Sequence, residues 1–249
     1  MLKVILVPEL QNNYSFIGIN TITKHAFIID PATSDKVLSY CYEHNFKITH
    51  ILNTHHHFDH IGGNKAIKLA TKCQIIAAKN DANKIPDVDL KIVGDEELII
   101  NDFKLKVMSL PGHTMGHIGL YFAQENILFC GDVLFSGGCG RVFEGTAEMM
   151  YNSLQKIAAL PPKTLIYCAH EYTLNNLKFA LTIDPTNESL RNYFSKVEML
   201  KIQNKPSIPT NLALELMINP FLRVDKLNIF TTNDLVKNWA IIRKLKNNF

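Results

Sequence analysis

The sequence has no long apolar run. No stretch approaches the ~18 consecutive apolar residues that a membrane helix needs, although 47% of the 249 residues are hydrophobic. The first ten residues lack the basic start, the apolar centre and the small-residue cleavage site of a signal peptide, and their pattern is that of a first strand. We therefore expect a cytoplasmic protein that does not bind membranes.

Cysteine is scarce and scattered. The five cysteines are odd in number and form no CxxC pair; they are Cys41, Cys73, Cys130, Cys139 and Cys168. This spacing argues against a disulfide framework and against a thiolate zinc cluster. It favours a reducing compartment.

A strong charge of either sign is also missing. The formal net charge of +3 is too weak to indicate binding to nucleic acid. Up to His170 there are 15 Lys and Arg against 16 Asp and Glu, and beyond it 11 against 7. The mildly basic C-terminal third suits a small anionic ligand, but an ordinary solvated helical surface explains it equally well.

Short β-branched runs dominate the first two-thirds of the chain. They predict strands at 4–7, 16–19, 26–29, 48–52, 74–77, 98–100, 105–108, 118–122, 127–129 and 164–168. Helical patterns lie at 34–45, 64–71 and 147–160, and Thr146 is the expected N-cap of the third. After residue 170 only helices are expected, at 172–183, 188–204, 212–218 and 233–246. We predict a β-rich α/β domain in 1–170 and a helical domain in 171–249.

Histidines are concentrated in residues 54–60, a loop at the end of an apolar strand. Because alternate side chains of an extended chain share a face, His55 and His57 point the same way and the histidine between them points away. As the chain turns, Asp59 and His60 face a second position. An ordinary polar loop is a poor explanation for four ligand-type residues within six positions.

Three further ligand-type residues, His113, Asp132 and His170, follow other predicted strands. Counting gives two ligand sets: His55, His57 and His113 for one ion, and Asp59, His60 and His170 for the other, with Asp132 as the bridging carboxylate. Imidazole and carboxylate ligands without thiolate suit zinc, iron or manganese. The sequence therefore predicts a site for two metal ions.

These ligands, in this order, resemble those of the metallo-β-lactamase superfamily. Four longer strings are similar to the hydroxyacylglutathione hydrolase (glyoxalase II) family: PGHTMGH at 111–117, GGCGRVFEG at 137–145, CAHEYTLNNLKFA at 168–180 and RKLK at 243–246. The match covers nearly the whole chain. It implies an αββα sandwich followed by a small α-helical, glutathione-binding domain, with a binuclear metal site at one edge of the sandwich.

The activity implied by the resemblance is hydrolysis of S-(2-hydroxyacyl)glutathione thioesters. The usual substrate is S-D-lactoylglutathione, which gives glutathione and D-lactate in the second step of methylglyoxal detoxification. We expect a monomer that binds two divalent ions; zinc is the expected metal, and iron and manganese are the alternatives. The glutathione contacts of the family fall on Arg141, Phe143, Tyr172, Arg243 and Lys246. A common version of the pattern has lysine at 141 and tyrosine at 143, so the charge is kept and one hydroxyl is lost.

The expected reaction uses a hydroxide held between the ions, beside Asp59 and Asp132. A divalent ion lowers the pKa of bound water to about 7, and the ion held by His55, His57 and His113 stabilises the developing oxyanion. A thiol with a pKa near ~8.5 leaves as thiolate. An amide would need a general acid, and the sequence offers no compelling candidate.

Other readings of the ligand pattern make different demands on the sequence. A lactonase, another thioesterase, a β-lactamase or a nuclease of the same fold would share the metal ligands, but a nuclease would want a broader basic surface. A persulfide dioxygenase with one iron would not need the second ligand set. A non-catalytic, metal-stabilised module would usually have a closed, thiolate-rich site.

Overall fold

The structure is a computed structural model that describes residues 1–227, 230 and 232–249. It divides into two compact units: the first unit comprises residues 1–109 and 115–131, and the second unit comprises 110–114 and 132–249. The expected domain division at residue 170 stays a prediction. No helix in the described part of the chain is long and apolar enough to cross a bilayer.

The first unit contains a six-stranded mixed sheet. In spatial order its strands are β1 (Leu2–Glu9), β2 (Asn13–Asn20), β3 (His25–Ile29), β4 (Lys47–Asn53), β5 (Gln74–Ala78) and β6 (Leu90–Ile92). The first three pair antiparallel, and β3 to β6 run parallel. Three helices lie between these strands along the chain: α1 (Asp35–Glu43), α2 (Phe58–Ile61) and α3 (Asn64–Thr71).

Four antiparallel strands complete the first unit. They are β7 (Glu97–Ile100), β8 (Phe103–Ser109), β9 (Ile118–Phe122) and β10 (Ile127–Gly131). Aromatic side chains join them to the mixed sheet: Phe27 stacks on Phe122 and Phe16 packs on Phe129, each with ring centroids 5.3 Å apart. Burying one such side chain is worth about 1.5–3 kcal/mol, so these rings are a main reason why the strands pack face to face.

One edge of the mixed sheet collects polar loops. Strands β3 and β4 are parallel neighbours, so the loops that follow their carboxyl ends start at the same edge. The loop after β3 begins with Asp30, and the loop after β4 contains the histidines. A Cβ on Gly63 would lie 2.4 Å from the Thr33 carbonyl oxygen, so only glycine lets these two loops pack this closely.

The second unit is mainly helical. Its strands are β11 (Leu134–Phe135), β12 (Gly138–Cys139), β13 (Leu165–Cys168) and β14 (Thr210–Asn211). Its helices are α4 (Ala147–Ala158), α5 (Thr173–Ile183), α6 (Glu188–Ile202), α7 (Leu212–Ile218) and α8 (Leu235–Asn247), with a 3₁₀ turn at Val224–Lys226. An apolar cluster forms around α5, α6 and α7, with Leu177, Leu190 and Ile218 fully buried.

Most predicted elements are present within a few residues of the expected ends. Thr146 caps α4 as predicted, because its hydroxyl accepts a hydrogen bond from the Met149 amide over 3.1 Å. The expectation of helices alone after residue 170 was wrong, since β14 pairs with β13 there. Strands β6, β11 and β12 were also missed. Two or three residues are too few to show a period of two.

Candidate functional site

The first unit contributes a group of histidines after β4. His57 has extended backbone angles (φ −62°, ψ 145°), and its Nδ1 lies 3.1 Å from Nε2 of His55. The ring of His56 points elsewhere, to the Asp81 carboxylate 2.9 Å away. His55 and His57 therefore offer two imidazole nitrogens to one position, as alternation along an extended chain requires.

The short helix α2 carries the next two candidates. Its turn brings Oδ2 of Asp59 to 3.7 Å from Nε2 of His60. His60 is buried, whereas the Asp59 side chain is 38% exposed. Asn13 on β2 fixes that exposed carboxylate, since its amide donates to Oδ2 of Asp59 at 3.0 Å and to the Asp59 carbonyl at 3.1 Å.

Buried Asp30 orients the ring of His60. Its Oδ2 lies 3.1 Å from Nδ1 of His60, and its Oδ1 accepts the Thr54 amide at 2.8 Å. Because a carboxylate holds Nδ1, Nε2 of His60 keeps a lone pair for another partner. Sequence reasoning missed Asp30, although its position directly after β3 was a signal of the same kind as those that were used.

Glu9 in turn holds the loop that carries Asp30. Its buried carboxylate accepts hydrogen bonds from the amides of Ala32 at 2.8 Å and Thr33 at 3.0 Å, and from the Thr33 hydroxyl at 2.9 Å. These bonds join residues 23 and 24 positions apart in the chain, so they carry no sequence signature. They show how a residue of the first strand helps to fix the histidine-bearing edge.

In the second unit, the candidate ligands His113 and His170 both lie beside the third, Asp132. Oδ2 of Asp132 lies 3.5 Å from Nε2 of His113, and Oδ1 lies 3.3 Å from Nε2 of His170. Each carboxylate oxygen thus faces a different imidazole, as a bridging ligand requires. Nδ1 of His113 donates to the Arg141 carbonyl at 2.8 Å, which leaves Nε2 with a lone pair.

Gly140 shows why this region is rich in glycine. A Cβ at this position would lie 1.9 Å from the carbonyl oxygen of Asp132. The Gly140 amide also donates to the Val133 carbonyl at 3.1 Å. Any side chain at 140 would push the Asp132 backbone away, so the glycine is required by close packing and not by phosphate binding.

A cavity of about 440 Å³ opens in the second unit beside two of these ligands. It is lined by His113, Asp132, Phe135, Cys139, Gly140, Arg141, Phe143, Tyr172, Asn175, Asn176, Arg243, Lys246, Asn247 and Phe249. All five residues expected to contact a ligand are among them. Its lining also includes Phe135, Asn175, Asn247 and Phe249, which the sequence analysis did not assign.

The cavity is electropositive. Arg141, Arg243 and Lys246 line it, and Asp132 is the one acidic residue among the described lining residues. Burial, followed by the neighbouring charges of Arg243 and Arg141, lowers the pKa of Lys246 to about 8. Burial is the larger cause of this shift, and the smaller contribution of the two arginines reflects the positive charge that lines the cavity.

Arg243 combines two contacts. Its Nη1 donates to the Cys139 carbonyl at 2.8 Å, and its Nε donates to Oδ1 of Asn247 at 3.1 Å. The side chain is buried and also lines the cavity. Arg243 therefore supports the backbone of β12 as well as contributing charge.

Aromatic rings flank the cavity. Tyr172 stacks on His170 with ring centroids 4.7 Å apart and an interplanar angle of 3°. Phe143 is 62% exposed, and its ring lies 5.2 Å from that of His113. With no hydroxyl, Phe143 offers a ligand an apolar face only.

Cys139 lines the cavity but is a poor nucleophile or metal ligand. Burial raises the pKa of its thiol to about 11, although the nearby Arg243 charge opposes this. At neutral pH the sulfur therefore carries its proton. Only the thiolate binds metals or attacks substrates efficiently.

The candidate ligands have spacings that fit metal coordination. Two ligands of a tetrahedral ion, each about 2.0–2.2 Å from it, lie roughly 3.3–3.6 Å apart. The pairs His55–His57, Asp59–His60, His113–Asp132 and His170–Asp132 are separated by 3.1, 3.7, 3.5 and 3.3 Å. Nitrogen and oxygen donors at such spacing fit zinc, iron or manganese.

Comparison with known proteins gives concordant matches. The model of the metallo-β-lactamase superfamily matches residues 7–170, and the model of the hydroxyacylglutathione hydrolase C-terminus matches residues 171–249. A hydroxyacylglutathione hydrolase of Rhodospirillum rubrum is 44% identical over 98% of this chain and 97% of its own length. Another, from Pelagibacter ubique, is 41% identical over the full length of both.

Solved structures agree with these matches at the level of the fold. The crystal structure of ETHE1 from Myxococcus xanthus has a TM-score of 0.67 and 22% sequence identity, covering 99% of each chain. At this identity the likeness concerns the fold alone. The family-model match over residues 7–170 identifies this fold as the metallo-β-lactamase αββα fold, which is followed here by a helical C-terminal region.

Proposed function

Because this chain belongs to the hydroxyacylglutathione hydrolase family of the metallo-β-lactamase superfamily, we propose that it hydrolyses S-(2-hydroxyacyl)glutathione thioesters. The expected substrate is S-D-lactoylglutathione, and the products are glutathione and D-lactate. This is the second step of methylglyoxal detoxification. The cavity of the second unit carries the proposal, because two candidate metal ligands and three cations line the same space.

Membership of the superfamily, with the histidine and aspartate clusters, indicates a binuclear metal site. We assign His55, His57 and His113 to one ion, and Asp59, His60 and His170 to the other, with Asp132 shared by both. The spacing of these side chains within each unit supports the assignment. We propose zinc as the metal, with iron or manganese as the alternatives, because imidazole nitrogen is the main donor of both ligand sets.

When bound, such ions supply Lewis acidity and lower the pKa of water to about 7. The protein's own residues do the rest. Asp30 and the Arg141 carbonyl hold the rings of His60 and His113 in fixed orientations. Asn13 holds the carboxylate of Asp59. Asp59 and Asp132 are the catalytic carboxylates in this proposal, because they act at the reacting centre.

The cations of the cavity account for recognition of glutathione. This tripeptide carries two carboxylates, and we assign Arg141 and Lys246 to them. The Lys246 ammonium also donates to the Asn175 carbonyl at 3.1 Å, and Arg243 also supports β12. Tyr172 and Phe143 line the same cavity and offer flat ring faces to the peptide. The thiolate of glutathione leaves without protonation by the enzyme, because its pKa is near ~8.5.

We further propose that the protein works as a cytoplasmic monomer. One chain contains all seven proposed metal ligands and the five proposed substrate contacts. All five cysteines are buried and none forms a disulfide, as expected for a reducing compartment. The family comparison implies a small-molecule substrate.

The test is metal analysis of the purified protein beside hydrolysis of S-D-lactoylglutathione. We expect about two divalent ions per chain, and activity that a chelator abolishes and added zinc restores. Asp132→Ala should lose metal and activity together, whereas Asp35→Ala, an exposed aspartate on α1, should keep both. A fully active Asp132→Ala protein would refute the bridging role. An inactive, metal-loaded wild-type protein would refute the thioesterase.

A further inference from the structure

Glu215 on α7 is a buried carboxylate that the proposed chemistry does not use. Its Oε1 accepts hydrogen bonds from the hydroxyls of Ser136 and Thr210, each at 2.8 Å. Its Oε2 accepts the Gly137 amide at 2.9 Å and the Asn219 side-chain amide at 3.0 Å. The side chain is fully buried, so four donors surround a carboxylate out of reach of water.

These bonds converge on one hairpin, formed by β11 and β12 and called here the wall hairpin (residues 134–139). Ser136 and Gly137 form its turn. Asn219 donates to the carbonyls of Phe135 at 3.1 Å and Gly138 at 2.9 Å. Asn176 on α5 donates to the Ser136 carbonyl at 3.2 Å. The turn is thus tied through its amides and carbonyls to two C-terminal helices.

The wall hairpin lies between functional residues in the chain. Asp132 comes two residues before it, Arg141 follows two residues after it, and Phe135 and Cys139 within it line the cavity. The ring of Phe135 lies 5.2 Å from that of Tyr172, nearly perpendicular to it. A shift of the hairpin would therefore move one wall of the cavity.

We propose that Glu215 is a positioning residue for glutathione recognition, because it fixes the wall hairpin through Ser136, Gly137 and Asn219. This inference rests on the proposed function. The amides of Gly137 and Asn219 can only donate, and the hydroxyls of Ser136 and Thr210 also donate here, so two acceptor oxygens on one side chain satisfy all four groups. A buried donor facing another donor loses its hydrogen bond and is costly. Glu215 would therefore affect the shape of the cavity and leave the metal site unchanged.

The variant Glu215→Gln tests this, because it keeps the size, removes the charge and leaves one acceptor oxygen where four groups now donate to two. Glu198→Gln is the matched control, with the same change of charge at an exposed position on α6. Two thioesters are compared: S-D-lactoylglutathione, and S-D-lactoyl-N-acetylcysteamine, which has the same acyl group but neither glutathione carboxylate. Metal content, circular dichroism and calorimetric binding of glutathione are measured alongside.

For Glu215→Gln we expect a rise in KM for the glutathione thioester of roughly tenfold or more, as loss of one buried hydrogen bond predicts. The affinity for glutathione should fall by the same factor. We expect kcat to change less than about threefold, with metal content and kcat/KM for the truncated thioester unchanged. Ser136→Ala, which removes one donor and leaves the carboxylate, should shift KM the same way by a smaller factor of roughly 2–5.

Equal loss of activity on both thioesters, or an unchanged KM in a folded variant, would overturn the positioning role. If Glu215→Gln does not fold, Ser136→Ala decides alone, and an unchanged KM there rejects the inference. If the wild-type protein hydrolyses neither thioester, the proposed function is refuted instead. The affinity of the variants for glutathione then still tests the role of the wall hairpin.

Discussion

Single residues in this protein owe their properties to what surrounds them. Asp132 resembles any aspartate in the sequence, but its two oxygens face the imidazoles of His113 and His170 at 3.5 and 3.3 Å. Lys246 resembles any lysine near a helix end, but burial and two arginines lower its pKa to about 8. Its ammonium also lies 4.9 Å from the centre of the Phe249 ring.

The lowered pKa of Lys246 predicts a pH-dependent affinity. Below pH 8 Lys246 is protonated and attracts a carboxylate; above pH 8 it loses the proton and the attraction. KM for S-D-lactoylglutathione should therefore rise between pH 7 and pH 9. Lys246→Met should have a high KM that no longer follows this titration, with kcat affected far less.

Lys246→Arg is the control, because a guanidinium stays charged over this range. Its KM profile should be flat where that of the wild type rises. The measurement is a set of KM values at half-unit steps of pH with corrections for spontaneous hydrolysis. An identical rise in Lys246→Arg and the wild type would assign the titration to another group.

At the scale of elements, loops and caps decide where the chemistry sits. The parallel pair β3 and β4 brings the Asp30 loop and the histidine loop to one edge of the mixed sheet. In the second unit, the N-cap of α4 is Thr146, three residues after the exposed ring of Phe143, and this cap fixes where the glycine-rich segment ends. Helix ends of this kind are set by local hydrogen bonds, and their energies are predictable.

Thr146→Ala should cost about 1 kcal/mol of folding free energy, because the Met149 amide loses its acceptor. Thr146→Ser keeps the oxygen and should restore most of the stability. Urea denaturation of the metal-loaded protein followed by circular dichroism measures the difference. Equal midpoints for the alanine and serine variants would show that the cap contributes nothing.

At the scale of the whole molecule, the proposed ions link distant parts of the chain. Their ligands lie between residues 55 and 170 of the sequence. Any ligand that binds the folded chain and not the unfolded one stabilises the fold, by about 2.7 kcal/mol at a free concentration 100 times its Kd. Binding of the proposed ions would therefore be coupled thermodynamically to folding.

Chelation should accordingly lower the thermal midpoint by roughly 5–10 °C for a protein of this size. Differential scanning calorimetry with and without chelator measures the shift, and added zinc should reverse it. Asp132→Ala should unfold at the lower midpoint in both conditions. A chelator-independent midpoint in the wild type would mean that the ions are not part of the folded state.

The sequence by itself determined the elements with a clear period and the residues with a specific chemistry. Strand β9 was predicted to its exact ends and the cap at Thr146 was identified, because both depend on local patterns. The ligand-type residues were identified because histidines and aspartates at strand ends are rare and conspicuous. The family was recognised from short strings that keep their order along the chain.

Tertiary structure alone decided what those residues touch. Asp30 beside His60, Glu215 under the wall hairpin and Arg243 on the Cys139 carbonyl join residues 30 to 104 positions apart. The two-residue strand β14 exists only because β13 offers it a partner. Hydrogen bonds and desolvation act over a few ångströms in space, and separation along the chain gives no measure of that distance. The shape and charge of the cavity therefore follow from folding.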